Sequence, residues 1–175
     1  IGELIANTMG AKIPEVIGNR ATGGMFKLSS LKNTDKKTEI EFNLNINPDT
    51  FLNYCNGFID LLFVREINGT PVYSLLDWKT DYFDECEYAN YDYLKQHTDM
   101  HYPVQRVLYS YCLIKWLKQF YPEMSESDVF QNHFGGIYYA YVRGCKPETS
   151  NGIYPHTWRD FATLEKAFNR INDII

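Results

Sequence analysis

The chain has 175 residues, of which 45% are hydrophobic and 16% aromatic, and its formal net charge is −5 at pH 7. This length suits one domain with a substantial apolar core, and the composition excludes a disordered or low-complexity chain. The negative charge argues against a broadly basic nucleic-acid binder, and no apolar run reaches the ~18 residues of a membrane span.

The first forty-six residues predict one helix, one irregular connection and one strand. Residues 2–17 have weak helical periodicity, whereas residues 18–37 are rich in Gly, Ser, Asn, Thr and Lys and are typical of a connection. Residues 38–46 alternate between polar and apolar side chains, which predicts a half-exposed strand.

The next stretch predicts a β-hairpin. Two apolar runs, residues 57–67 and 70–79, are joined by Asn68-Gly69. Both turn residues tolerate the positive φ angles of a type I′ turn, so a two-residue loop is expected here.

The second half predicts helices around one more buried strand. Residues 81–99 form an acidic connection that is partly helical, and residues 102–120 show helical apolar spacing that Tyr121-Pro122 ends. Residues 134–144 predict a buried strand and residues 158–175 a closing helix. We therefore expect an α/β fold with a mixed β-sheet flanked by helices.

Two carboxylates face each other in this predicted hairpin. In register about the Asn68-Gly69 turn, Asp60 lies opposite Asp77 with the Cβ atoms ~5 Å apart, and Lys79 shares the face of Asp77. Opposed like charges are destabilising, and a divalent cation such as Mg²⁺ with a nearby Lys would offset them. An exposed Asp60 beside an ordinary surface ion pair of Asp77 and Lys79 explains the local spacing equally well, and a one-residue slip would separate the two acids.

The same residues match known nuclease motifs. Residues 57–60, followed by Leu76-Asp77-Trp78-Lys79-Thr80, resemble the second and third motifs of the PD-(D/E)XK nuclease superfamily. Gln105 and Tyr109, four residues apart on one helix face, resemble the Gln-x-x-x-Tyr motif of its RecB-like branch. Residues 133–139, 142–144 and 152–154 resemble the C-terminal nuclease domain of the RecB family, the exodeoxyribonuclease V beta subunits, and the similarity covers about residues 39–158.

The resemblance implies a restriction-endonuclease-like fold and a DNA-cutting site. It implies that Asp60, Asp77 and the Trp78 carbonyl hold Mg²⁺, that Asp60, Asp77 and Lys79 are catalytic, and that Gln105 and Tyr109 position the site and the DNA. It further implies one nuclease domain over residues 1–175, a C-terminal part of a longer helicase–nuclease subunit that acts on single-stranded DNA beside RecC-like and helicase subunits.

One ligand of the family pattern is missing from this chain. The family places a His on an upstream helix as a further metal ligand, and no His precedes His97. The chain begins with Ile1 rather than Met, so we expect that His in an upstream portion of a longer polypeptide. No Gly-rich phosphate loop ending in Gly-Lys-Ser/Thr occurs, so the motor of a helicase is also expected upstream.

Other readings remain open beside the nuclease. The main rival is a nuclease-like domain that no longer cuts and serves as a docking or DNA-guiding module; a stand-alone nuclease and a hydrolase using paired carboxylates are further alternatives. His97 and His101 have a spacing that can bind zinc on a helix, but no third ligand is evident and surface histidines are expected. Four singly placed cysteines predict reduced thiols and favour a cytoplasmic protein: Cys55, Cys86, Cys112 and Cys145.

Overall fold

The computed structural model describes residues 2–45 and 54–172. In chain order the elements are α1 (Gly2–Gly10), β1 (Ile13–Ile17), β2 (Arg20–Phe26), β3 (Lys36–Asn45), β4 (Tyr54–Ile67), β5 (Thr70–Lys79), α2 (Glu85–Tyr88), α3 (Tyr91–His101), α4 (Pro103–Lys118), α5 (Glu126–His133), β6 (Phe134–Tyr141), β7 (Ile153–His156) and α6 (Phe161–Asn172). Short 3-10 turns at Leu28–Ser30 and Asn33–Asp35 link β2 to β3.

Five strands form one mixed sheet in the order β3-β4-β5-β6-β7. The pairs β3/β4, β4/β5 and β6/β7 are antiparallel, whereas β5 and β6 are parallel and are connected through helices α2 to α5. Two parallel neighbouring strands need such a crossover, because the chain leaves the first strand at one end of the sheet and must enter the second strand at the opposite end. The expected fold class, a mixed sheet flanked by helices as in restriction endonucleases, is confirmed.

The two sides of the sheet bury different partners. On the side that we call the helix face, Leu75 and Ile137 pack with residues of α4 and α6 such as Leu113 and Leu164. On the other side, the hairpin face, a second core forms against the separate β1–β2 hairpin and its flanking segments. Its buried members are Ala11, Ile13, Phe26, Leu28, Leu61, Phe63, Leu76, Tyr138, Ala140, Cys145 and Ile153.

The predicted central hairpin is confirmed, including its turn. Asn68 and Gly69 have φ angles of 52° and 79°, as a type I′ turn requires. The ladder between β4 and β5 runs from Ile67↔Thr70 to Leu61↔Leu76 in the predicted register. No one-residue slip therefore separates the two faces along this part of the hairpin.

Several other predicted elements are also confirmed. β3 covers the predicted strand 38–46 except residue 46, which lies outside the described residues, and β6 is buried along its whole length. Helix α4 begins at Pro103, where a missing N–H costs nothing because the first helical donors have no partner within the helix. Helix α6 fulfils the closing-helix prediction, although residues 173–175 lie outside the described part.

The prediction for the first third of the chain was partly wrong. The predicted helix 2–17 ends at Gly10, and residues 13–17 form β1 instead. The predicted connection 18–37 contains β2. Most side chains of β2 are exposed, so its polar, Gly-rich sequence lacks the apolar pattern by which a strand is recognised. Pairing with β1 and the burial of Phe26 define this strand, and both depend on contacts distant in sequence. Strand β7 and helix α5 were not predicted.

Candidate active site

The candidate site lies where two sheet strands separate. Beyond Leu61↔Leu76, β4 pairs only with β3, and β5 continues only with β6. Asp60 is therefore the first β4 residue past the ladder, and its Oδ2 accepts a hydrogen bond of 2.8 Å from the backbone N–H of Trp78. The side-chain carboxylate of Asp60 thus accepts the hydrogen bond that a backbone carbonyl of β4 would accept within the ladder. The gap between β4 and β5 begins beside Asp60.

Asp77 and Lys79 form a buried ion pair at the β5 side of this gap. Lys79 Nζ lies 2.5 Å from Asp77 Oδ2, and the two residues are 8% and 4% exposed. The alternative of an ordinary surface ion pair is therefore wrong. Burial raises the pKa of Asp77 although Lys79 donates to it, and the nearby charge of Asp60 acts in the same direction as burial.

Gln105 connects both members of the ion pair to helix α4. Its Nε2 donates to Asp77 Oδ1 at 2.7 Å, and its Oε1 accepts from Lys79 Nζ at 3.1 Å. This orientation of the amide is the favourable one, because the acceptor faces the ammonium and the donor faces the carboxylate.

Tyr109 extends the same network by one helical turn. Gln105 Nε2 lies 3.3 Å from the Tyr109 hydroxyl, which donates to the backbone carbonyl of Phe58 at 2.7 Å. Since Phe58 lies two residues before Asp60, this bond ties helix α4 to the strand that carries the first carboxylate. The structure thus brings together Asp60, Asp77, Lys79, Gln105 and Tyr109.

The remaining predicted residue, Trp78, lies between the two members of the ion pair in sequence. Its N–H is held by Asp60, and its side chain is 36% exposed. Because successive strand side chains alternate, its ring points away from Asp77 and Lys79. A role of Trp78 therefore depends on its backbone, as the prediction states.

Four residues beside this network were not predicted from the sequence to belong to it. Tyr102 lies under Lys79, with Nζ 3.7 Å from its ring centroid, and the Tyr102 hydroxyl donates to both carboxylate oxygens of Asp81. His97 Nε2 lies 2.8 Å from Asp81 Oδ1, and Tyr139 stacks on Tyr102. Their separations in sequence carry no recognisable spacing; only the position of Asp81, two residues after Lys79, offered a signal.

His97 and His101 lie side by side near the end of α3. The rings of His97 and His101 are 4.2 Å apart, but His97 is half-buried and bonded to Asp81, so the expectation of a surface histidine was wrong for it. Within residues 2–45 and 54–172, no group of three or more His, Cys, Asp or Glu side chains is arranged to hold a metal ion. Among the helices of that part of the chain, none combines the length and apolar character needed to cross a bilayer.

Comparison with known proteins finds similarity to RecB subunits. The chain is 30% identical over 131 residues to the RecBCD enzyme subunit RecB of Buchnera aphidicola subsp. Baizongia pistaciae, which covers 73% of the chain. It is 32% identical over 101 residues, 56% of the chain, to the RecB subunit of Escherichia coli. The chain is a relative of RecB. No model of a known protein family matches it.

The relationship concerns a small part of RecB. A third relative, RecB of Buchnera aphidicola subsp. Schizaphis graminum, is 28% identical over 152 residues, which cover 70% of the chain. The matches cover 12% of RecB from the Schizaphis graminum strain, 10% of RecB from the Baizongia pistaciae strain and 8% of RecB from Escherichia coli. The chain therefore spans about a tenth of the length of the curated relatives it matches. The likeness to RecB therefore applies to one segment of that subunit.

Proposed function

We propose that this chain is a Mg²⁺-dependent deoxyribonuclease domain that hydrolyses phosphodiester bonds in DNA repair and recombination. The observation that carries the proposal is the buried Asp77–Lys79 pair, which lies beside Asp60 at the separation of β4 and β5 in a relative of RecB. Burying a charged pair with a second carboxylate nearby costs free energy, and such costs are typical of functional sites.

The donor set suits Mg²⁺. Two carboxylates offer hard oxygen ligands, and Mg²⁺ is usually bound through one or two carboxylates while it keeps several waters and contacts substrate phosphates. Asp60 and Asp77 would hold the ion, with the backbone carbonyl of Trp78 as a third ligand. A bound cation would also favour the ionised form of Asp77, whose pKa burial raises. When bound, Mg²⁺ polarises the scissile phosphate and lowers the pKa of a coordinated water.

Of the other site residues, Lys79 would neutralise negative charge on the phosphoryl group, and Gln105 and Tyr109 hold the site in place. Lys79 would place its ammonium where negative charge develops on the phosphoryl group, an arrangement that stabilises the transition state more than the ground state. Gln105 fixes the Asp77–Lys79 pair from both ends, and Tyr109 holds the Phe58 end of β4. In the proposed complex, Gln105 and Tyr109 also position the DNA backbone.

The wider setting is part of the same proposal. We infer that residues 1–175 are one nuclease domain within a longer helicase–nuclease subunit, that the substrate is single-stranded DNA supplied by the motor, and that a RecC-like subunit is a partner. A cytoplasmic location stays a prediction from the cysteine pattern.

Cleavage assays on two variants test the chemistry. Asp77→Ala and Lys79→Ala are each expected to abolish Mg²⁺-dependent cleavage of single-stranded DNA, because they remove a ligand and the compensating charge. Glu66→Ala is the matched control, since Glu66 is an exposed acid on the same strand as Asp60. Undiminished cleavage in either site variant, with unchanged circular dichroism, would discard these roles.

A second experiment tests the expected upstream ligand. The chain as given and a version extended at its N-terminus to include the expected His are incubated with single-stranded DNA, with and without Mg²⁺. Cleavage by the extended version alone would support the upstream His. Inactivity of both would instead support a docking or DNA-guiding module.

A further inference from the structure

The ammonium of Lys79 lies against an aromatic surface as well as against Asp77. Nζ is 3.7 Å from the centroid of Tyr102 and 5.5 Å from that of Tyr139. A cation over a ring face is attracted by the negative electrostatic potential of that face, and the attraction is stronger where water is excluded. Lys79 is only 8% exposed, so this contact belongs to the stronger class.

The ring of Tyr102 is itself held in place. Its hydroxyl donates to both carboxylate oxygens of Asp81, at 2.9 and 3.0 Å, and its ring stacks on Tyr139 with centroids 5.8 Å apart and planes 20° apart. Asp81 is fixed in turn by His97, 2.8 Å away. The hydroxyl of Tyr102 is thus held by the Asp81 carboxylate, and its ring is held by stacking on Tyr139.

The hydrogen bond to Asp81 also improves the ring as a partner for a cation. A phenol that donates to a carboxylate gains electron density on its ring, which strengthens the attraction to the ammonium. Burial, followed by the hydrogen bond to Asp81, raises the pKa of Tyr102, so its hydroxyl stays a donor at neutral pH. Burial acts to raise the pKa of Asp81, but the hydrogen bonds from His97 and Tyr102 outweigh it and lower that pKa.

We propose that Tyr102, anchored by Asp81, is a positioning residue that fixes the ammonium of Lys79 beside Asp77. The catalytic role of Lys79 on which this rests belongs to the proposed function. The rival explanation is that Tyr102 only fills the core. In that case, the position of Lys79 would not depend on an aromatic ring at residue 102.

Three variants separate the parts of this arrangement. Tyr102→Phe keeps the ring and removes the hydroxyl, Asp81→Ala removes the anchor, and Tyr102→Leu removes the ring. The matched control is Tyr111→Leu, since Tyr111 is a tyrosine of α4 that stacks on Phe168 and contacts the ammonium of Lys115 at 5.0 Å. This control loses the same ring and the same kind of cation contact at another place in the helical layer.

The first readout needs neither metal nor cleavage. In metal-free protein with ¹³C-labelled lysine, the ε-methylene protons of Lys79, assigned by their loss in Lys79→Arg, should be shifted upfield by the ring current of Tyr102. Tyr102→Phe should keep that shift, whereas Tyr102→Leu should move the resonance most of the way back to the ordinary lysine position, since the remaining ring of Tyr139 is farther away, at 5.5 Å. Tyr111→Leu should leave it unchanged. An unchanged Lys79 resonance in Tyr102→Leu would overturn the proposal.

The second readout is the rate of cleavage. Tyr102→Leu should lower kcat about 10- to 30-fold with little change in KM, as expected for loss of a desolvated cation–π contact. Tyr102→Phe and Asp81→Ala should each lower kcat only about threefold, because both keep an aromatic ring against the ammonium of Lys79. Equal losses in the Phe and Leu variants, or full activity in Leu, would overturn the proposal.

The two readouts distinguish failure of the proposed function from failure of the proposal for Tyr102. A wild-type protein that cuts no DNA would contradict the proposed function, whereas the resonance of Lys79 still decides whether Tyr102 fixes its ammonium.

Discussion

The two faces of the central sheet bury very different side chains on the same strands. On the hairpin face, Leu61, Phe63, Leu76 and Ala140 form an apolar core with the β1–β2 hairpin. On the helix face, the next positions of β5 carry Asp77 and Lys79, buried among tyrosines. Because strand residues alternate, one residue step on β5 separates a hydrophobic core from a charged site.

Both faces bury an apolar core, but only the helix face also buries the Asp77–Lys79 ion pair. A buried ion pair seldom stabilises a protein more than apolar residues of similar volume would. The ion pair of the hairpin face, Arg65 with Glu15, keeps side-chain exposures of 20% and 12%, whereas Asp77 and Lys79 on the helix face are 4% and 8% exposed. The helix face therefore keeps the more deeply buried charges, and the proposed chemistry needs them. Substitutions on the two faces should therefore separate stability from activity.

The largest effect on stability is expected on the hairpin face. Phe63 is 1% exposed and packs against Phe26 and Tyr138, with centroids 5.5 and 6.0 Å away. Phe63→Ala should lower the free energy of unfolding by about 3–5 kcal/mol because it leaves a cavity. Urea denaturation measures this loss. The folded variant should keep its cleavage rate at low temperature. Loss of cleavage by the folded variant would show that the hairpin face contributes to activity as well as to stability.

On the helix face, one substitution should be costly and a second should repair it. Lys79→Met leaves the buried Asp77 carboxyl without its ammonium partner and should lower the free energy of unfolding by about 2–3 kcal/mol. The loss is smaller than for an unpaired buried charge, because Asp77 can take up a proton. Adding Asp77→Asn should restore stability to within about 1 kcal/mol of wild type without restoring cleavage. A double-mutant cycle by urea denaturation measures the coupling, and strictly additive losses would show that the pair is not coupled.

A buried histidine on the helix side makes stability depend on pH. Burial, with the nearby charge of Arg106, lowers the pKa of His156 to about 3, and its Nε2 has no hydrogen-bond partner among the described residues. Since the unfolded state binds the proton more readily, stability is full above pH ~6.5 and falls as the pH decreases. Between pH 7.5 and 5 the loss from this group is about 2 kcal/mol.

The variant His156→Gln isolates this contribution. It cannot titrate, so its free energy of unfolding should fall less between the two pH values, by roughly the same 2 kcal/mol. Equal pH dependence in wild type and variant would assign the acid sensitivity to other groups.

The smallest effect is expected for the residue between the two charges. Trp78 is 36% exposed, and its proposed role uses only the backbone carbonyl. Trp78→Phe keeps a β-forming aromatic side chain and should change stability by no more than about 0.5 kcal/mol and leave cleavage unchanged. A large loss of cleavage with normal stability would mean that the indole ring itself contacts the substrate.

The parts of this fold that were predictable depend on local patterns. Asn68-Gly69 requires a tight turn, and this turn sets the register that carries Asp60 towards Asp77. The periodicities of β3, β6 and α4 likewise repeat within each segment. The β1–β2 hairpin was missed because its strands are short, and most side chains of β2 are exposed.

The sequence by itself determined the central hairpin, the long helix and the approach of Asp60 to Asp77 and Lys79, because turn chemistry and side-chain period act over a few residues. Gln105 and Tyr109 were identified through the resemblance to the RecB family. Only the tertiary structure decided that the Asp77–Lys79 pair is buried and that β4 and β5 separate at Asp60. It alone brought Tyr102, Asp81, His97 and Tyr139 around the ammonium of Lys79. Burial and these contacts arise from packing a helix against a sheet, and spacing along the chain does not encode the partners of that packing.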